Sequence, residues 1–242
     1  MDRDDPIESR RHLLRMMLAS SGVALTGTAL LPALVHAFGK VPRQLPPGQS
    51  IYDLRGKVLV DGKPASEGTK VRADSLVETT SNSYVIFAVG QDAHILRENS
   101  RLQLSGRDNF ADAMRLFTGK VLSVFGQRSG GKKLAINTTT ATIGIRGTGV
   151  YSESYPDSSY VCTCYGTTQI VSNADPKASE NIISHRHDAP RYIVNNPEGG
   201  KLILPAPMKN HTDEELLLIE TLVGRTPPFS AAQGYSAPRR GY

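Results

Sequence analysis

The 242-residue sequence has no tryptophan, few aromatic residues and only two cysteines. It also contains no Gly-x-Ser-x-Gly elbow, no His-Glu-x-x-His pair and no P-loop, which are patterns of serine hydrolases, zinc proteases and nucleotide hydrolases. Its net charge of +5 is spread along the chain without a dense basic block. We therefore expect a protein that is not an enzyme and does not bind nucleic acid.

Residues 1–37 have the pattern of an export signal. Arg10 and Arg11 precede an uncharged, moderately apolar segment, residues 16–37, which ends in the small-residue cleavage pattern Val-His-Ala. The paired arginines resemble a twin-arginine signal, and cleavage after Ala37 would leave a periplasmic protein with no membrane-spanning segment. An uncleaved anchor is the alternative, because the uncharged segment is long enough to span a bilayer.

Short apolar segments alternate with turn residues between residues 51 and 172. Asp61-Gly62, for example, follows an apolar triplet and is a typical two-residue hairpin turn. Many short strands at near-regular spacing are typical of all-β domains. We therefore predict an all-β domain over residues 51–172, preceded by a proline-rich linker over residues 38–50.

Residues 141–151 combine three glycines with β-branched residues and one arginine. Gly144, Gly147 and Gly149 lack side-chain bulk and permit positive φ, which predicts a strand that bends or lies close to another backbone. Their spacing reverses the dinucleotide-binding order and no helix pattern follows, so we do not expect a nucleotide site. We interpret Arg146 as a structural residue that reaches backbone carbonyls or a carboxylate and links adjacent turns.

The region around these glycines resembles the FecR-domain family over about residues 50–172. The matching segments are residues 68–71, 73–79, 116–121, 138–148 and 161–166. Arg146-Gly147-Thr148 is the most specific part of the resemblance, and Ala73 stands where the family has a glycine. The resemblance implies a compact, partly coiled β-domain of solenoid or sandwich type.

The FecR resemblance also implies a function at the cell envelope. In the best-known members, a periplasmic domain senses the state of a transporter and a cytoplasmic segment controls a sigma factor. The few residues before the paired arginines leave no room for such a segment, so we do not expect direct sigma-factor control. The resemblance then implies a binding, sensory or scaffolding module whose partner is an envelope protein or a glycan.

Residues 173–229 form a C-terminal extension that differs from the preceding domain. Three apolar segments in its first half predict further strands. Thr212 and Glu215 have the spacing of a capping box and precede apolar residues at helical intervals. We predict an amphipathic helix over residues 213–223 that packs on the β-domain. Residues 230–242 are small, polar and basic, and are predicted to be disordered.

The two cysteines, Cys162 and Cys164, lie on the same face of a predicted strand. Such positions are about 6–7 Å apart, at or beyond the upper limit for a disulfide. They are therefore either buried thiols that pack as small hydrophobic residues or ligands of a metal or cofactor. In the second interpretation His185 and His187 complete a set that suits zinc or Cu(I). We interpret His211 as local structure rather than as a ligand.

Three functions follow from these patterns. The first is an exported, non-enzymatic FecR-domain protein that binds, senses or scaffolds in the cell envelope. The second is a periplasmic metal- or cofactor-binding protein that uses the cysteine and histidine pairs. The third is a thiol-dependent hydrolase with a cysteine nucleophile and a histidine base, although nothing in the sequence orients one toward the other.

Overall fold

A computed structural model describes residues 43–107, 110–128, 134–197 and 199–229 of the chain. Within these ranges it contains fourteen strands and one helix, so the prediction of an all-β fold with one C-terminal helix is confirmed. The elements are β1 Ile51–Arg55, β2 Val58–Val60, β3 Lys63–Pro64, β4 Leu76–Thr79, β5 Tyr84–Val89, β6 Asp92–Leu96, β7 Arg101–Arg107, β8 Phe110–Val124, β9 Leu134–Asn137, β10 Ala141–Ser154, β11 Ser158–Ser172, β12 Ser179–Ser184, β13 Arg191–Val194, β14 Ile203–Pro205 and α1 Asp213–Leu222.

The strands form a single branched, open sheet. Its longest path runs β14-β13-β11-β10-β9-β8-β7-β4-β2-β3, with β12 added to β11 and the series β6-β5-β1 added to β8. Among the described strand pairs, β8 and β9 are parallel and the others are antiparallel. Strand β11 ends at Ser172, at the predicted end of the β-domain, but strands β12 to β14 continue the same sheet.

The hairpin between β2 and β3 has the turn that the sequence predicts. Asp61 has φ 52° and Gly62 has φ 75°, so both lie in the left-handed region that a two-residue hairpin turn uses. The side chain of Asp61 accepts hydrogen bonds from the Leu76 amide at 2.9 Å and from the Ser75 hydroxyl at 3.1 Å. These bonds attach the turn to the neighbouring strand β4.

Strand β10 changes partner at the glycine run. Its first part pairs with β9 through residues 142–145, and its last part pairs with β8 through residues 149–154. Gly147, with φ 55°, lies between the two parts, where the register with β11 also shifts. A Cβ on Gly149 would lie 2.4 Å from the Tyr165 ring. The predicted bend is therefore present, whereas the close approach at Gly149 is to a side-chain ring rather than to another backbone.

Helix α1 begins with the predicted capping box. The Thr212 hydroxyl accepts from the Glu215 amide at 3.3 Å, and the Glu215 carboxylate accepts from the Thr212 amide at 3.0 Å. The helix ends at Leu222, one residue before the predicted end, and Gly224 follows with φ 72°. Its buried leucines and isoleucine face β5, β6 and β8, which closes one side of the core.

Several predictions fall outside the described residues. Residues 1–42 and 230–242 are among them, so the export signal, the first part of the linker and the disordered tail stay predictions. At the end of the linker, the Leu45 amide donates to the Leu222 carbonyl at 3.0 Å and thus joins the chain to the end of α1. In the described part of the chain, no helix has both the length and the hydropathy needed to cross a membrane.

Candidate metal centre

Strand β11 places both cysteines in the interior of the sheet. It lies between β10 on one side and β12 and β13 on the other, and its central residues are buried. Alternation along the strand puts Tyr160, Cys162 and Cys164 on one face. Both thiols are free and fully buried, and Cys162 lies opposite Tyr151 of β10.

Two histidines reach the same face from other segments. His187 lies in the turn after β12, where its φ of 54° is left-handed and its amide donates to the Cys164 carbonyl at 2.9 Å. The carboxylate of Asp188 holds this turn by accepting from the His185 amide at 2.7 Å. His211 comes immediately before Thr212, the N-cap of α1. The site therefore joins a strand, a turn and the start of a helix.

Cys162, Cys164, His187 and His211 bring four ligand atoms within 4.8 Å of one another. The Cys162 sulfur lies 3.5 Å from Nδ1 of His187, and that nitrogen lies 3.0 Å from Nε2 of His211. Tetrahedral zinc, with bonds of about 2.3 Å to sulfur and 2.0–2.1 Å to nitrogen, requires about 3.5 Å between S and N and about 3.3 Å between two N atoms. These two distances are within a few tenths of an ångström of those values, and the four ligand atoms as a group lie within 4.8 Å.

The outer nitrogens of both imidazoles are already hydrogen-bonded. His187 Nε2 donates to the Asp213 carboxylate at 3.0 Å, and His211 Nδ1 donates to the Lys209 carbonyl at 2.7 Å. Carboxylate and carbonyl oxygens are acceptors here, so each neutral ring carries its hydrogen on the outer nitrogen. The two inner nitrogens then direct lone pairs at each other across 3.0 Å. A proton or a metal ion between them removes that repulsion, and histidine ligands of metals are oriented in this way.

The ionisation of the cluster also follows from these contacts. Burial alone would lower the pKa of His187, but hydrogen bonds to Asp213 and Cys162 raise it to about 9. Burial alone would raise the pKa of Cys162, but hydrogen bonds from Cys164 and the imidazoles lower it well below its ordinary value. Burial and the neighbouring Cys162 raise the pKa of Cys164. These contacts thus favour the charged forms of Cys162 and His187 and disfavour that of Cys164.

Aromatic side chains enclose the cluster. The Tyr151 ring stacks on His211 with 4.6 Å between ring centroids, and the Phe229 ring lies 6.2 Å from His187. Arg186 pairs with Asp213 at 2.6 Å and also lies over Phe229. None of the four ligand residues is more than 8% exposed. Four protein ligands fill a tetrahedral shell, which is the arrangement of structural rather than catalytic zinc.

A buried carboxylate supports the segment that carries His211. Glu153 accepts hydrogen bonds from the Tyr151 hydroxyl at 2.7 Å and from the Asn210 amide at 2.8 Å, and it pairs with Lys209 at 2.8 Å. Burial would raise the pKa of Glu153, but these three partners lower it below its ordinary value of 4.5. The charge of Glu153 therefore fixes the two residues that precede His211.

The structure brings together three of the four predicted ligands. Cys162, Cys164 and His187 meet, whereas His185 is exposed and lies outside the group. His211, interpreted from the sequence as local structure, lies at the fourth position of this group. The expectation for His185 was based on its i, i+2 spacing from His187, but in this turn, where His187 is left-handed, the His187 side chain is buried and that of His185 is exposed.

The structure does not support the proposed structural role of Arg146. Its side chain is exposed and has no hydrogen-bond or ion-pair partner among the described residues. Gly147 allows the bend at this point, and the carbonyl of the buried Thr148 accepts from the Phe125 amide at 3.0 Å. Gly144 has only ordinary contacts near its Cβ position, at 3.7 Å or more, so its lack of a side chain is not required by packing.

Comparison with known proteins gives a partial likeness of fold. No protein-family model matches the sequence, and neither does any curated protein. Two crystal structures of a candidate anti-sigma factor from Parabacteroides distasonis are similar to this chain, each with 11% identity and a TM-score of 0.45. Each match covers 54% of this chain and 58% of the other. Membership of the FecR-domain family stays a prediction.

Proposed function

We propose that this protein is a zinc-binding β-module of the cell envelope, in which Cys162, Cys164, His187 and His211 hold the ion. The observation that carries the proposal is the direction of the two imidazoles. Their outer nitrogens are bound to Asp213 and to a backbone carbonyl, and their inner nitrogens converge beside two buried sulfurs. This donor set matches a soft or borderline ion in tetrahedral geometry.

Charge balance favours zinc over Cu(I). Two thiolates carry two negative charges into a fully buried site, and a divalent ion neutralises them. Cu(I) would leave one negative charge uncompensated, which is costly in the interior of a protein. The nearby carboxylate of Asp213 does not change this balance, because Arg186 pairs with it at 2.6 Å.

The proposed role of the ion is structural. It would join β11 to the turn that carries His187 and to the segment before α1. His187 lies 25 residues after Cys162 in the chain, and His211 lies 24 residues after His187. Both sulfurs are buried, so a role as catalytic nucleophiles would require a substrate to enter the core. The geometry therefore favours metal binding over the thiol-hydrolase alternative.

Metal analysis of the purified full chain tests the proposal. We expect about one zinc per chain after refolding from the reduced, denatured state with zinc present, and a tetrahedral absorption spectrum when cobalt(II) replaces zinc. Cys164→Ser and His211→Ala should each lower the zinc content to near zero. His185→Ala is the matched control and should retain the metal. Metal-free wild type, or equal loss in the His185 variant, would contradict the proposed site.

The envelope location is a separate part of the proposal. It is supported by the paired arginines and the uncharged segment of residues 1–37, and by the resemblance to exported FecR domains. The partner would be an envelope protein or a glycan. Cell fractionation with N-terminal sequencing tests it: we expect the mature chain in the periplasm, beginning at Phe38, and a cytoplasmic chain would contradict it.

A further inference from the structure

We infer that zinc enters this site while the chain folds, and that the folded chain neither takes up nor releases it readily. This inference rests on the proposed zinc site. It concerns the time and place at which the ion is acquired, which the ligand geometry alone does not determine. The observations that support it are the burial of the ligands and the contacts that hold the surrounding segments in place.

The four ligand residues are enclosed from three directions. The cysteines lie on β11 beneath the cluster, Tyr151 stacks on His211 from β10, and Phe229 covers His187. Each ligand residue is buried in the finished structure. A chelator or an incoming zinc ion therefore meets the site only after one of the covering segments has moved.

The segment before α1, which carries His211, is firmly held over the site. Glu153 binds both Lys209 and Asn210, and the Tyr160 hydroxyl donates to the Pro207 carbonyl at 2.9 Å. Moving this segment breaks several buried polar contacts at once, and each leaves a partner without its bond. Opening is thus a local unfolding event with a free-energy cost, rather than a side-chain fluctuation.

The turn that carries His187 is held in a second way. Arg186 pairs with Asp213 at the start of α1, and the His187 amide is bonded to Cys164. The turn and the helix start therefore hold each other over the site. We conclude that the four ligands are accessible together only before α1 has docked.

If zinc binds before the site closes, this order determines the cellular compartment in which the ion is acquired. Until the site closes, both thiols are accessible, and in an oxidising compartment they would be open to oxidation. Zinc that binds before closure protects them by coordination and burial. If the chain is exported as its sequence predicts, the ion is therefore acquired in the reducing cytoplasm, and the folded, loaded protein is what crosses the membrane.

Uptake is tested on the full chain. Reduced, denatured protein is refolded with zinc, and a second sample is refolded without metal and given zinc afterwards. After equal incubation times of minutes, we expect about one zinc per chain in the first sample and roughly a tenth of that in the second. If neither sample binds zinc, the proposed site itself is wrong. If the second fills as completely as the first, the site is real and the inference of enclosure is wrong.

Release is measured on zinc-loaded protein, so it does not depend on a folded metal-free form. An excess of a colorimetric zinc chelator should remove the ion slowly, and urea should speed removal before global unfolding. Arg186→Ala should release zinc about ten- to a hundredfold faster, because the charge-assisted contact between Arg186 and Asp213 over the site is lost. Arg191→Ala, which removes a surface ion pair with Glu180, is the control and should match wild type. Wild-type release as fast as that of Arg186→Ala would overturn the inference.

Discussion

The two ends of the sheet have interiors of different chemistry. In the N-terminal region, residues 51–124, the core is built mainly from aliphatic side chains such as Leu102, Leu104 and Leu116. The N-terminal region also buries Asp92, His94 and Arg97, whereas the C-terminal region, residues 141–222, buries two cysteines, two histidines and four carboxylates. The C-terminal interior therefore depends more on paired polar groups than the N-terminal one does.

This difference predicts different responses to mutation. Apolar packing is non-directional, so a lost side chain costs about its own transfer free energy and the cavity that remains. A buried polar group depends on its partner, and removing one member leaves the other unsatisfied. Substitutions in the N-terminal region should therefore lower stability and leave the proposed zinc binding intact, whereas substitutions in the C-terminal region should lower both.

The largest expected loss of stability is in the N-terminal region. Leu102 is fully buried on β7, and Leu102→Ala should lower the free energy of unfolding by about 2–5 kcal/mol. Urea denaturation measures this loss, and metal analysis of the same sample should still give about one zinc per chain. A parallel fall in zinc content would show that the two interiors are not independent.

Glu153→Gln should affect both stability and pH dependence. At neutral pH the loss of a charge-assisted contact with Lys209 should lower the free energy of unfolding by about 1.5–3 kcal/mol. Because the pKa of Glu153 is lower in the folded chain than its ordinary 4.5, its ionised form stabilises the fold above that pH, and this contribution is lost as pH falls through the lowered value. Urea denaturation at neutral pH and about pH 3 measures both effects. A variant whose stability falls as steeply in acid as that of wild type would argue against this role.

Asp213→Asn should act mainly on the metal. The carboxylate orients His187 and its loss should weaken zinc binding by about 10–100-fold, as for other partners of metal-bound histidines. Competition with a chelator of known affinity measures this change. Glu214→Gln removes a neighbouring charge from the same helical turn without touching the site, and should bind zinc as wild type does. Equal weakening in both variants would indicate a general effect of charge at the helix N-terminus.

The smallest expected effect is that of His185→Ala. The His185 side chain is exposed and lies outside the cluster, so zinc affinity and the free energy of unfolding should stay within about 0.5 kcal/mol of wild type. Isothermal titration with zinc during refolding and urea denaturation check this. A clear loss of zinc in this variant would place His185 back among the ligands.

Local signals in the sequence predicted local features of the fold well. The Asp61-Gly62 turn and the Thr212–Glu215 capping box depend on residues within a few positions of each other, so their chemistry is visible without the fold. Alternation likewise placed Cys162 and Cys164 on one face, because a strand has a period of two residues.

The fourth ligand could not be predicted in the same way. His211 reaches the cysteines only because α1 packs on the sheet and positions the residue before its N-cap, an arrangement that no nearby spacing encodes. His185 was predicted from its i, i+2 spacing to His187, but the left-handed turn at His187 leaves only the His187 side chain pointing inward. No short-range pattern marks His211, because its outer nitrogen is bound to a backbone carbonyl and the nearby Asp213 is bound to the distant His187.

The shared strand β10 has a consequence for how the molecule denatures. Residues 149–154 pair with β8 of the N-terminal region on one edge and with β11 on the other, and Tyr151 on that stretch covers His211. Neither the N-terminal nor the C-terminal region can unfold without exposing part of the other region's interior. Heating should therefore give one cooperative transition, in which the N-terminal and C-terminal regions denature at the same temperature.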